Sequence, residues 1–114
     1  MATEHIHRVD RTRRADVFVA GDLEVAKQLC REYVMCGLCV TVEPCAYIYT
    51  GGEEAGVRVG LINYPRFPST SEQLFAHALA IGELLMNGLH QLSYTVVADD
   101  ETHWFSRHGE GLKY

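Results

Sequence analysis

The run Tyr49-Thr50-Gly51-Gly52 limits the fold more than any other stretch of the chain. Thr50-Gly51-Gly52 is a hairpin signal, because glycine supplies the backbone conformations that reverse a strand tightly. Upstream, residues 38–50 put Val40, Val42, Ala46 and Ile48 on one side of a strand and Cys39, Thr41, Glu43, Cys45, Tyr47 and Tyr49 on the other. Val57 to Ile62 returns as the partner strand. Pro44 interrupts the first strand and calls for an edge position or a bulge, since proline offers no N–H to a ladder.

The flanks supply the cover that such a pair needs. Ala15 to Ala20 alternates and then runs apolar, as a strand with a buried face does. Asp22 is a helix N-cap residue, and Val25, Ala26, Leu29, Cys30, Tyr33 and Val34 follow at the spacing of one helical face, with Gly37 as the stop. After the hairpin, Ser69 and Glu72 have capping-box spacing. Leu74, Phe75, Ala78, Ile81, Leu84 and Leu85 share one side of the helix that follows, and Asn87-Gly88 reads as a left-handed ending. Leu92 to Ala98 is a further strand, and His103 to Arg107 leaves room for a short extra one.

Strand, helix, strand, strand, helix, strand is the order of the α+β, ferredoxin-like split βαβ fold (βαββαβ), with both helices on one face of an antiparallel sheet. The other face holds Tyr47, Tyr49, Ile62, Tyr94 and Trp104, more apolar surface than a free face usually exposes. An oligomer formed through it is expected. Residues 1–14, with Arg8, Arg11, Arg13 and Arg14, read as a mobile basic arm, residues 15–108 as a single domain and residues 109–114 as a tail.

With 114 residues the chain can hold one core without staples. A formal charge of −5 and a pI near 5.6 argue against binding to extended nucleic acid or an anionic membrane, which needs a basic footprint. Neither a signal-length apolar run nor a span near 20 residues is present, so a soluble cytoplasmic protein is expected.

Most chemistry-bearing residues have a plain structural explanation. The cysteines read C-x5-C-x2-C-x5-C at Cys30, Cys36, Cys39 and Cys45. Cys39 and Cys45 share a strand and stand about 20 Å apart at a rise of roughly 3.3 Å per residue, too far for one tetrahedral zinc. Free thiols are the reading, with no metal and no cofactor. His5 and His7 belong to the arm, and His77, His90, His103 and His108 form no three-ligand pattern. Ser69, Thr70 and Ser71 are accounted for by helix capping, Gly56 by a bulge, and Glu53-Glu54 and Asp99-Asp100 by solvated turns. With no nucleophile and base in sight, no catalytic residue and no enzymatic activity are expected.

Binding chemistry is left. Asn63, Tyr64, Arg66 and Phe67, with Pro65 and Pro68, follow the second hairpin strand directly. Together they offer a stacking surface, an amide and a guanidinium, the set that holds a base and a phosphate. Phe75 lies in the next helix, and Trp104 and Arg107 repeat the pairing of an aromatic with a planar cation near the chain's end. These seven residues form the expected ligand site for a small anionic nucleotide, closed between two copies of the chain. The alternative is that the prolines only shape the loop, Phe67 plugs the core and Arg66 is a surface charge.

Two families share features with the chain. Asp22 to Tyr49, with Val25-Ala26-Lys27, Leu38-Cys39-Val40, Pro44 and Ile48-Tyr49, resembles the first half of CutA-type divalent-cation-tolerance proteins, relatives of the PII fold. That resemblance implies a trimeric structural, interaction or metal-associated protein without a nucleotide ligand, though the His-Pro-Tyr-Glu type segment of that family does not follow. Tyr49-Thr50-Gly51-Gly52-Glu53-Glu54, Gly60 to Pro68 and Trp104-Phe105-Ser106-Arg107 resemble the first-described type of phage Thoeris anti-defence proteins. This second resemblance implies a homo-oligomeric sponge that sequesters cyclic ADP-ribose-type immune signals, and cyclic oligonucleotides as well, without cleaving them. In that case the protein acts in the cytoplasm of the infected bacterial host.

Overall fold

A computed structural model describes residues 5–107. The first residues of the arm, the end of the domain at residue 108 and the tail at 109–114 lie outside the described residues. The elements are β1 (Arg14–Ala20), α1 (Leu23–Tyr33) continued by a 3-10 turn at Val34–Cys36, β2 (Thr41–Tyr49), β3 (Gly52–Ile62), α2 (Ser71–Gly88), β4 (Ser93–Ala98) and β5 (Glu101–Ser106). They form one antiparallel sheet in the order β2-β3-β1-β4-β5, which is the ferredoxin-like arrangement with β5 added outside β4. β2 is an edge strand, the position that Pro44 demands.

Both helices cover one face, with α2 over β1 and β4 and α1 over the β2–β3 side and against α2. The seam is built from Ala15, Val17 and Val19 of β1, Val57, Val59 and Leu61 of β3, and Leu74, Ala78, Ile81 and Leu85 of α2. Each fully buried branched side chain contributes about 1.5–3 kcal/mol against exposure. Asp22 caps α1 by accepting the Val25 N–H at 2.9 Å. Only Ala26 and Cys30 of α1 are fully buried, and these small side chains let the helix lie close to the sheet.

Several local expectations are corrected. Val25 points outward at 44% exposure, because Ala26 and Cys30 set the phase of the buried stripe. The second strand starts at Thr41 rather than residue 38, and the third begins at Gly52 rather than Val57, so Glu53 and Glu54 are strand residues. The capping box of α2 is Thr70 with Gln73 rather than Ser69 with Glu72, since the chain leaves Pro68 extended and turns helical one residue later. Gly88 stays helical, with the Leu29 side chain packed where a Cβ would stand, and the left-handed residue is His90 at φ 57°.

Tyr94 moves furthest from expectation. It belongs to the core rather than the free face, 4% exposed, stacked on Phe105 at 4.9 Å and lying over Gly82 of α2, where any side chain would collide with its ring. Tyr47, Tyr49, Ile62 and Trp104 do share the helix-free face, together with Phe18. Asp16 on that face is nearly buried and holds Arg58 at 3.1 Å, while Arg58 also reaches Glu43 at 3.5 Å. No described helix is long and apolar enough to cross a membrane.

Candidate functional site

The strand exit that follows β3 is rooted by Asn63. Its side chain is 6% exposed, accepts the Arg13 N–H at 2.7 Å and donates to the Arg11 carbonyl at 2.8 Å, and its own N–H reaches the Arg13 carbonyl at 3.1 Å. Those bonds tie the segment before β1 to the loop. Pro65 then stands second in a tight turn closed by the Phe67 N–H on the Tyr64 carbonyl at 2.7 Å, a position that suits its fixed φ. Asn63 is therefore a structural anchor of the loop.

Tyr64, Arg66 and Phe67 line one cleft of about 360 Å³ with Leu38, Cys39, Ser69, Gln73 and His77. The Arg66 guanidinium lies 5.4 Å from the centre of the Phe67 ring, and that ring is 55% exposed rather than plugged into the core. Hydrogen bonding with the Cys39 thiol, and then burial, push the Tyr64 phenol above its ordinary range. His77 meets the Tyr33 hydroxyl through Nδ1 at 2.9 Å. No carboxylate lines the cleft, so its field favours an anion.

The remaining expected residues stand elsewhere. Phe75 packs on His103 at 4.8 Å beside the β4–β5 turn, in a separate recess with Asp99, Asp100 and Glu101. Trp104 is on the helix-free face of β5, opposite Thr95 and 38% exposed. Arg107 caps the far end of α2, donating to the Gln91 and Met86 carbonyls at 2.9 and 3.2 Å and to Asn87 Oδ1 at 2.7 Å. Within one chain, Arg66 and Arg107 thus stand at opposite ends of α2.

A second recess lies at the other end of the β2–β3 ribbon, where the two-residue turn pairs Tyr49 with Gly52 and Tyr47 with Glu54. It has a volume of about 220 Å³, and Phe18, Tyr47, Tyr49, Glu54, Gln91, Ser93 and Thr95 line it. Tyr47 is fixed by donating to the Val57 carbonyl at 2.7 Å, and its ring lies across Gly56, where a Cβ would collide with ring and backbone. Gly56 is therefore a seat and not a bulge, and the register through it is continuous. Burial, with the Cys45 thiol adding, drives the Tyr47 phenol well above its ordinary range, and desolvation followed by the Glu54 charge raises Tyr49. The sequence hides this recess because Glu54 reads as a turn residue until the strand is known to begin at Gly52. Counting back from a two-residue turn would have set Tyr47 opposite Glu54.

Neither a protein-family model nor any curated protein matches the chain. Among solved structures, a phage SAM lyase in its apo state matches with a TM-score of 0.71 at 16% identity, over 92% of this chain and 98% of that one. A phage SAM lyase in complex with S-methyl-5'-thioadenosine matches with a TM-score of 0.63 at 16% identity, over 90% and 96%. These matches correct the expectation that the chain has no enzymatic activity. That expectation rested on a missing nucleophile and base, and the shared fold is one on which a lyase is built. A lyase needs neither group when the substrate carries both its own leaving group and its own attacking electron pair.

Proposed function

We propose that the protein is a lyase for an S-adenosylmethionine-type sulfonium nucleoside, releasing a methylthioadenosine. The observation that carries this reading is the recess of Phe18, Tyr47, Tyr49 and Glu54, on a fold shared over 92% of the chain with a phage SAM lyase. Aromatic faces attract a sulfonium as they attract an ammonium, and they stack on adenine. Glu54 supplies the one formal charge among the residues lining the recess.

The chemistry requires little else. In the substrate, the methionyl carboxylate attacks its own γ-carbon, the bond from that carbon to sulfur breaks, and the electron pair passes to sulfur. The products are a neutral thioether and a homoserine lactone that keeps its ammonium, so charge and atoms balance with no water and no proton transfer. The protein's task is to fold the methionyl arm onto itself in a site of low polarity, where a carboxylate and a sulfonium neutralise each other readily. A carboxylate set on the sulfonium would hold the ground state. Set on the ammonium, Glu54 holds a charge that persists through the reaction and orients the arm.

The recess is open on its outer side, and a second copy of the chain against the helix-free face would close it. Incubation of the full chain with S-adenosylmethionine, followed by chromatography, tests the reading. Many equivalents of methylthioadenosine and homoserine lactone per chain are expected. Substrate recovered intact overturns the lyase, and intact cyclic ADP-ribose recovered from a parallel incubation would favour a signal-binding protein in its place. Consumption of a methyl donor is one chemical route to the counter-defence role that the sequence resemblance implies.

A further inference from the structure

The geometry points to a second small-molecule site in the cleft of Tyr64, Arg66, Phe67, Ser69, Gln73 and His77, one that takes an aromatic ring bearing a phosphate, as in a mononucleotide. It stands independently of the lyase reading. From Glu54 to Ile62 the chain runs eight residues along β3, about 26 Å at roughly 3.3 Å per residue, so the cleft and the aromatic recess cannot be parts of one pocket in the same chain.

Three observations carry it. The cleft has about 360 Å³, within the usual range of ligand sites of roughly 300–1,000 Å³. Its one formal charge is the Arg66 guanidinium, and no carboxylate stands on its wall. Its rim is prepared: the turn at Pro65 is closed and its root at Asn63 is buried and bonded through side chain and backbone, yet the Phe67 ring and Arg66 are left exposed. Among the described residues no hydrogen bond or ion pair engages that guanidinium, so its donors are free for an oxyanion. An ordered loop presenting a free planar cation beside a free ring loses little entropy on binding. Phe67 or Tyr64 stacks on the base and Arg66 meets the phosphate.

The test is calorimetric titration of the intact chain with adenosine 5′-monophosphate and with adenosine. The monophosphate is expected to bind at least tenfold more tightly than the nucleoside. Arg66→Ala should bring the two to equal affinity and Arg66→Lys should restore part of the difference, while Lys27→Ala, which removes the same charge from α1, should change nothing. Because Arg66 is exposed and makes no hydrogen bond or ion pair among the described residues, the variant should keep the fold, and its circular dichroism and melting point check this. Saturating methylthioadenosine should leave monophosphate binding intact. Equal affinity for the two probes, an Arg66→Ala chain that binds like the parent, or competition by methylthioadenosine would overturn the proposal.

Discussion

The two ends of the β2–β3 ribbon are built from the same pair of strands and carry opposite chemistry. At the turn end stand phenols and Glu54; at the exit end stand Arg66, His77 and an exposed phenylalanine. They are also fixed differently. The turn end is held through side chains, with Tyr47 laid over Gly56 and bonded to Val57. At the exit end a side-chain amide and a turn do the holding, with Asn63 clasping the backbone of Arg11 and Arg13 and the Pro65 turn closed on itself. On the two readings proposed above, one ribbon serves ligands of both signs: distance along the strand separates the two fields, and each end brings its own rigidity.

Each prediction sets one end against the other. Glu54→Gln should lower kcat/KM for S-adenosylmethionine cleavage about a hundredfold, the cost of a misplaced reacting arm, as followed by methylthioadenosine release. An unchanged rate would erase the distinction in charge on which the comparison rests. Gly56→Ala should destabilise the fold by about 2–3 kcal/mol in urea titrations, because the new methyl meets both the Tyr47 ring and the backbone of β1. Asn63→Ala strands the Arg13 N–H and Arg11 carbonyl and should cost about 1–2 kcal/mol. Amide exchange should accelerate at residues 64–69 and not at the turn end. Equal acceleration at both ends would show that the ribbon responds as one unit.

The smallest effect is alkaline. Burial raises the Tyr47 phenol, so above the ordinary tyrosine pKa of about 10 the folded chain keeps a proton that the unfolded chain releases. Stability is therefore whole below that pH and falls as the pH rises past it. Tyr47→Phe should cost about 1 kcal/mol at neutral pH through the lost bond to Val57 and should flatten part of the alkaline fall, measured by melting at pH 7 and pH 10.5.

The architecture was legible because its signals are local. Asp22, the Thr50-Gly51 turn, Pro44 and the apolar stripe of α2 each state an element or its limit, and their order allows few topologies. Placement across the sheet was harder. Tyr94 looks like a surface aromatic until Gly82, twelve residues earlier, is known to leave a gap for its ring. The exit loop announced its candidate residues, and the structure gathers Tyr64, Arg66 and Phe67 into one cleft while giving Asn63 and Arg107 to anchoring. The turn-end recess stayed hidden since its members come from β1, β2, β3 and β4, and only the register brings Phe18 and Thr95 beside Tyr47 and Glu54.

Pro44 has a consequence at the outer rim of the sheet. An exposed edge is a template on which another polypeptide can continue the ladder, and repeated addition of that kind leads to fibrils. Midway along β2 the rim lacks an amide hydrogen, and a strand arriving there would meet a ring in place of a donor. Growth by edge-to-edge addition is hindered on that side, whereas the opposite rim, β5, carries no such proline.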